Sequence, residues 1–307
     1  MSAEVFAGLL LAAAQILPVV VPLGKPPQVE RPIAPIETAG PAFDAACDDY
    51  DEWDKPAPPV RIHANSYLVG TCGISAILVT GSDGHILIDS GTEAGAEIVA
   101  GNIRRLGFRL TDIKFLLHSH EHFDHVGGMA RLQQLTGAQL VASANAAAVF
   151  ATGTPGPGDP QAGMHPQFPA ARVDRIIKHG ETVRLRDLQL TAVETKGHTH
   201  WALSWQWVSC DGGVCRNMVY ADSLTPVSRD DYRFIDHPGA LEAFRASIAR
   251  VGALDCDILL TPHPSASGMV DRLAGRAPLE NRNACRDYAA ELTNRLDARL
   301  AKEGAAR

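Results

Sequence analysis

The chain has no cluster of basic residues, no CxxC pair and no internal repeat. With a net charge of −7 and no compensating basic stretch, it offers nothing to neutralise a phosphate backbone or an anionic bilayer, so nucleic acid and membrane surfaces are excluded as partners. Without CxxC spacing, the six cysteines form neither a dithiol redox site nor a zinc ribbon and are read as structural. Its 307 residues could hold two domains, but compact mixed folds of this size also occur as one, and 46% hydrophobic residues supply ample core.

The apolar run Phe6 to Ala14 closes on Ala12-Ala13-Ala14 and is similar to a secretory signal, although Glu4 precedes it in place of Lys or Arg. Gln15, Pro18 and Pro22 interrupt it before it could span a bilayer as a clean helix. We therefore expect a signal peptide over 1–23 with its cleavage position open, an extended arm over 24–59 rich in Pro, Ala and acidic residues, and a single domain over 60–307. Export places the chain in the periplasm or outside the cell, with no membrane partner once the signal is removed, and cysteines there tend to pair. Six cysteines allow fifteen connectivities. Asp211-Gly212-Gly213 makes a turn between apolar runs, so Cys210 and Cys215 can face each other across a hairpin.

Short strands are expected at Val60 to His63, Ser66 to Val69, Ser75 to Thr80 and His85 to Ile88, opening the domain as a meander. A helix with Ile98, Val99, Ile103 and Leu106 on one stripe follows, then a strand to Leu117, a helix over Met129 to Leu135 and a strand over Gln139 to Ala142. Thr152 to Pro169, dense in Gly and Pro, reads as a long lid or binding loop. Strands resume at Thr182 to Leu185, Leu188 to Glu194, Ala202 to Val208, Asn217 to Tyr220 and Asp257 to Leu260. Helices carry Leu241, Phe244, Ile248 and Val251, and later Tyr288, Leu292, Leu296 and Leu300. Two runs of strands, each needing helices to cover a face, imply two mixed sheets packed together with helices outside.

The centre of the sequence is His118-Ser119-His120-Glu121-His122-Phe123-Asp124-His125-Val126-Gly127-Gly128. Phe115-Leu116-Leu117 delivers this loop from a buried strand, and Gly127-Gly128 turns it into the next helix. Neutral imidazole and carboxylate are zinc ligands, so His120, His122, Asp124 and His125 form a metal-binding pattern, His-x-His-x-Asp-His. His118, on the strand side, is given a packed or supporting role. Two further histidines, His198 and His263, stand just after strands and complete a set of six.

With Leu87-Ile88-Asp89-Ser90-Gly91, His120 to His125, Gly197-His198-Thr199, Tyr220-Ala221-Asp222-Ser223-Leu224-Thr225 and Thr261-Pro262-His263-Pro264-Ser265-Ala266-Ser267-Gly268, the chain resembles the subclass B3 metallo-β-lactamases. The resemblance runs from about Cys47 to the last helix. It implies an αββα sandwich, α/β (α+β) in class, with two Zn2+ at the sheet edge: His120, His122 and His198 on one, Asp124, His125 and His263 on the other. It further implies that a zinc-bound hydroxide oriented by Asp124 opens the β-lactam ring of antibiotics such as penicillins, cephalosporins and carbapenems; the chain is expected to be a monomer. Ser223 and Thr225 are expected to hold the substrate carboxylate. The pair Cys256–Cys285 is expected to tie the strand before His263 to the last helix, and Cys47–Cys72 is left by elimination and matches the resemblance. Asp222, beside Ser223, keeps a thioester hydrolase of the glyoxalase II type, or a lactonase, as the alternative. One departure stands out: the family's Pro-Gly after Gly197-His198-Thr199 is His200-Trp201 here. A fourth imidazole on the first zinc would displace the nucleophile, so His200 is expected to be no ligand and to form, with Trp201, part of the cleft wall or the packing beneath it.

Overall fold

The computed structural model describes residues 40–305. The expected signal peptide and the first part of the arm lie outside them. Pro41–Ala46 forms a short helix, α1, with Pro41 in its first turn. Its C-cap, Cys47, is bonded to Cys72, so this part of the arm is helical where an extended chain was expected.

Seven strands make the first sheet in chain order: β1 (Val60–His63), β2 (Ser66–Leu68), β3 (Ile77–Gly81), β4 (Gly84–Ile88), β5 (Ile113–Leu117), β6 (Gln139–Ala142) and β7 (Val173–Ile176). The first four pair antiparallel, and β4 to β7 pair parallel. Helices α2 (Gly95–Arg105), α3 (Phe123–Val126), α4 (Met129–Thr136) and α5 (Ala146–Thr152) lie in the parallel half of the sequence, where crossovers are required. The second sheet contains β8 (Thr182–Leu185), β9 (Leu188–Glu194), β10 (Leu203–Asp211), β11 (Val214–Tyr220) and β12 (Ile258–Leu260), in spatial order β12-β11-β10-β9-β8. Helices α6 (Pro238–Gly252), α7 (Met269–Leu273) and α8 (Ala284–Ala305) complete the fold.

Strand alternation sorts the apolar side chains into three cores. Ile77, Val79, Ile86 and Ile88 of the first sheet meet Leu190, Trp205, Trp207, Met218, Tyr220 and Leu260 of the second. On the opposite faces of these strands, Leu78, Leu87, Leu116 and Leu140 pack against Val99, Ile103 and Leu132 of the helices, while Val219 and Leu259 pack against Phe244, Ile248, Leu292 and Leu296. This is the expected αββα sandwich, and the described residues belong to one compact unit.

Besides α1, the sequence reading missed α3, α5, α7 and β7: the three helices are only four to seven residues long, and β7 alternates half-buried with exposed residues because it is an edge strand. The β10–β11 hairpin is longer than expected, since Cys210 and Cys215 are register partners and carry the ladder to the turn. Disulfides join Cys47 to Cys72, Cys210 to Cys215 and Cys256 to Cys285, all as expected.

Candidate metal centre

Beyond Leu117 the chain leaves β5 and is held by the motif that follows β4. Asp89, fully buried with φ 64°, accepts the Ser119 N–H at 2.7 Å on Oδ1. Its Oδ2 accepts the Ser119 hydroxyl at 2.7 Å and the Tyr220 hydroxyl at 2.6 Å, so one carboxyl joins both sheets to the start of the loop. Burial lifts its pKa to about 7 against the pull of those hydrogen bonds. The Ser90 hydroxyl donates to the His125 carbonyl at 2.9 Å and accepts the Gly128 N–H at 3.1 Å. Gly127 and Gly128 have ordinary helical dihedrals, so turning is not their purpose. A Cβ on Gly127 would stand 2.5 Å from the Phe123 carbonyl oxygen, and one on Gly128 2.8 Å from the Ala96 Cβ; only glycine lets the loop close on the Asp89 turn.

The histidines are anchored from behind. His120 Nδ1 faces Asp222 Oδ1 at 2.7 Å, His122 Nε2 faces Asp159 Oδ1 at 3.1 Å, and His198 Nδ1 faces the Thr225 carbonyl at 2.9 Å. Ligand atoms of His120, His122 and His198 lie within 4.8 Å of one another, as do those of His120, Asp124 and His125. A second convergence brings His125 Nε2 to 2.9 Å from Asp124 Oδ2 and 3.1 Å from His263 Nε2, with His263 Nε2 3.2 Å from the same carboxylate oxygen.

Burial depresses His198 to about 3, His125 to about 4 and His120 well below the usual imidazole range, which keeps these rings neutral and their lone pairs available. His122 is raised: burial opposes its charge most strongly, but the Asp159 hydrogen bond and the charges of Asp159, Asp124 and Glu121 together outweigh it. Asp124 lies well below the carboxylate range, since His125 and His263 overcome the cost of burial. His120 Nε2 and Asp124 Oδ1 are buried with no hydrogen-bond partner among the described residues. Buried polar atoms left in this way are costly, and a cation at the convergence of six N and O donors would satisfy them. The residues fit a metal ion.

A cleft of about 430 Å³ opens over these groups. His122, Asp124, His198 and His263 form part of its wall, with Ser223, Thr225 and the side chains of Trp53, Gln161, His165 and Arg295. The structure separates the two hydroxyls that were expected to act together. Ser223 Oγ is buried without a partner among the described residues, whereas Thr225 Oγ1 stands 3.2 Å from His198 Nδ1. Asp222 is fully buried behind His120, on the outer nitrogen. His118 is packed edge-on against Phe150 at 5.3 Å, as expected. His200 stands apart from the two donor sets and its Nε2 donates to the Gly158 carbonyl at 2.7 Å, while Trp201 packs on the core outside the first sheet.

Sequence reasoning missed Asp159, Gln161, His165, Glu121 and Thr199. The first three lie in the segment expected to be a lid or binding loop, with no periodicity to single them out. Glu121 is buried and accepts the Thr199 hydroxyl at 2.9 Å, joining the loops of the two sheets; burial, aided by the charge of Asp159, raises it to about 7. Its place inside the histidine motif was the only signal.

Residues 69–263 match the model of the Metallo-beta-lactamase superfamily. Among solved structures, the chain is similar to the MIM-2 metallo-beta-lactamase, with 56% identity, a TM-score of 0.83, and coverage of 87% of this chain and 100% of that one. It is also similar to MEM-A1, a subclass B3 metallo-beta-lactamase isolated from a soil metagenome library: 42% identity, TM-score 0.80, coverage 83% and 100%. A curated hydroxyacylglutathione hydrolase of Bradyrhizobium sp. (strain ORS 278) is 33% identical over 123 residues, 38% of this chain and 39% of that protein. The chain thus spans well under half the length of the curated relatives it matches.

Proposed function

The chain belongs to the metallo-beta-lactamase superfamily and, within it, to subclass B3, and from that premise we propose that it hydrolyses the amide of β-lactam antibiotics with two zinc ions. The observation that carries this reading is the pair of buried donor sets at one sheet edge, within a chain 56% identical to a metallo-beta-lactamase over that protein's full length. His120, His122 and His198 would hold the first zinc, and Asp124, His125 and His263 the second. Zinc there supplies Lewis acidity, lowering the pKa of a coordinated water to about 7 and polarising a carbonyl.

The protein's own groups supply the rest. Asp124, with Oδ2 engaged by two imidazoles, keeps Oδ1 to accept a hydrogen bond from the attacking water and so orient it. Water adds to the lactam carbonyl carbon, the C–N bond breaks, and the nitrogen takes up a proton. Ser223, which lines the cleft with its Oγ unpartnered among the described residues, would donate to the substrate carboxylate. Three disulfides suit an oxidising compartment, which supports a periplasmic or secreted enzyme, and among the described residues no helix is long and apolar enough to cross a membrane.

A second reading, thioester hydrolysis, draws on the partial likeness to hydroxyacylglutathione hydrolases and on Asp222. The contact of Asp222 with the outer nitrogen of His120 argues against using it between two metals. The test is ultraviolet loss of a carbapenem or cephalosporin ring, run beside hydrolysis of a glutathione thioester. Ring opening that is abolished by chelation is expected. Thioester turnover without ring opening would overturn the β-lactamase reading.

A further inference from the structure

The loop between α5 and β7 reaches over the first donor set and touches two of its three histidines. Asp159, 4% exposed, places Oδ1 3.1 Å from His122 Nε2, and the same oxygen accepts the Gln161 N–H at 2.7 Å. Gln161 Nε2 stands 3.1 Å from His198 Nε2, the nitrogen a metal would take, so the hold on this site that outlasts metal binding is the Asp159 contact. Outside the cleft this segment is gripped on both flanks. His200 Nε2 donates to the Gly158 carbonyl at 2.7 Å, Arg229 Nη1 to the Asp159 carbonyl at 2.7 Å, and the Arg229 N–H to the Pro160 carbonyl at 2.9 Å. His200 is the residue where this chain departs from its family's Pro-Gly, so the departure has a partner in the loop.

We propose that residues 158–161 form a clip on the first metal site, with Asp159 as a positioning residue that fixes His122 and with His200 and Arg229 holding the clip in place. An imidazole whose Nε2–H is bound by a carboxylate must present Nδ1 as its lone pair, and the carboxylate makes that lone pair more basic. The ring cannot flip without giving up its hydrogen bond to a buried carboxylate, and bonds to charged groups are the costlier ones to lose. His200 touches no member of the donor set; it acts by restraining the backbone that carries Asp159.

The inference rests on the zinc assignment above but not on the β-lactam reading, and its test is metal affinity. Zinc binding to the purified full chain is measured by competition with a chromophoric chelator, and cobalt substitution gives the visible spectrum of each site. Asp159→Asn, which keeps an acceptor oxygen but removes the charge, should weaken one of two zinc ions by about 10- to 100-fold and alter the cobalt spectrum. His200→Ala should weaken the same ion less and speed amide hydrogen exchange at 156–163. The double variant should be no worse than Asp159→Asn alone. Unchanged affinity for both ions in folded Asp159→Asn overturns the proposal. Should that variant fail to fold, His200→Ala decides: unchanged affinity with unchanged exchange overturns it as well. A wild type that binds two zinc ions yet opens no β-lactam would sink the proposed function while leaving the clip intact.

Discussion

The two sheets serve the metal centre in opposite ways. The first delivers His120, His122, Asp124 and His125 from one loop at the end of β5, braced by Asp89 and Ser90 from the neighbouring strand end. The second contributes His198, Ser223, Thr225 and His263 from the ends of three separate strands. Their arrangement depends on α8, whose Tyr288 hydroxyl donates to the Ser223 carbonyl at 2.7 Å and which is bonded through Cys285 to Cys256 beside β12. Chemistry concentrated in one loop is set by local backbone; chemistry spread over strand ends is set by tertiary packing. The first half should therefore fail by losing charge or ligands, and the second by losing its frame.

The largest expected effect lies in the loop. Asp124→Asn removes the negative charge proposed to hold the second zinc and to orient the nucleophile, so turnover should fall at least about a hundredfold with the fold intact. Steady-state kinetics with circular dichroism as the control would decide it, and near wild-type turnover would refute the role. Next comes the frame. Replacing Cys256 and Cys285 by serine opens a loop of sequence separation 29 and should cost about 3–4 kcal/mol in the chain-entropy model. Thermal unfolding gives the total. If the comparison is right, hydrogen exchange rises around His198 and His263 before it rises in the His118–His125 loop.

How much could be read from the sequence follows the same division. The loop's four candidate donors were legible because their spacing is itself the geometry, and the β10–β11 hairpin was legible because Cys210 and Cys215 bracket a turn. His198 and His263 were legible only beside the loop, since a lone histidine after a strand has no local signature of its own. Asp159 and Gln161 were invisible as individuals: a Gly- and Pro-rich segment gives no period from which to infer which side chain turns inward. Asp222 was visible but ambiguous, because sequence cannot say on which side of His120 a neighbouring carboxylate will stand.

His118 offers a smaller test of the first half. It is fully buried against Phe150, neither ring nitrogen has a partner among the described residues, and burial lowers its pKa from 6.5 to about 3. Protonation is then favoured in the unfolded chain alone between those values, so His118 takes away up to about 1.4 kcal/mol per pH unit as pH falls from 6.5 towards 3. Above pH 6.5 this loss is absent. His118→Leu should stabilise the fold by about 1–2 kcal/mol at pH 7 by removing unpaired polar atoms, and by more at pH 5. Unfolding midpoints at the two pH values measure both effects, and a variant less stable at pH 5 than the parent would show that the ring has a partner in solution.

The smallest expected effect lies in the second half and separates its two hydroxyls. Thr225 Oγ1 is engaged at His198 Nδ1, whose second contact is the Thr225 carbonyl, so this residue orients a ligand. Ser223 lines the cleft and its buried Oγ has no partner among the described residues, so its hydrogen bond is proposed to go to a substrate. One hydrogen bond to a charged acceptor is worth about 1.5–3 kcal/mol, less where water competes at an open cleft. Ser223→Ala should therefore raise KM for carboxylate-bearing β-lactams by about fivefold and leave kcat near the parent value. Thr225→Val, which keeps the carbonyl but removes the hydroxyl, should act on kcat or zinc retention more than on KM. Steady-state constants for several β-lactams measure the split, and the reverse pattern would show that Thr225 is the substrate contact and that Ser223 belongs to the frame.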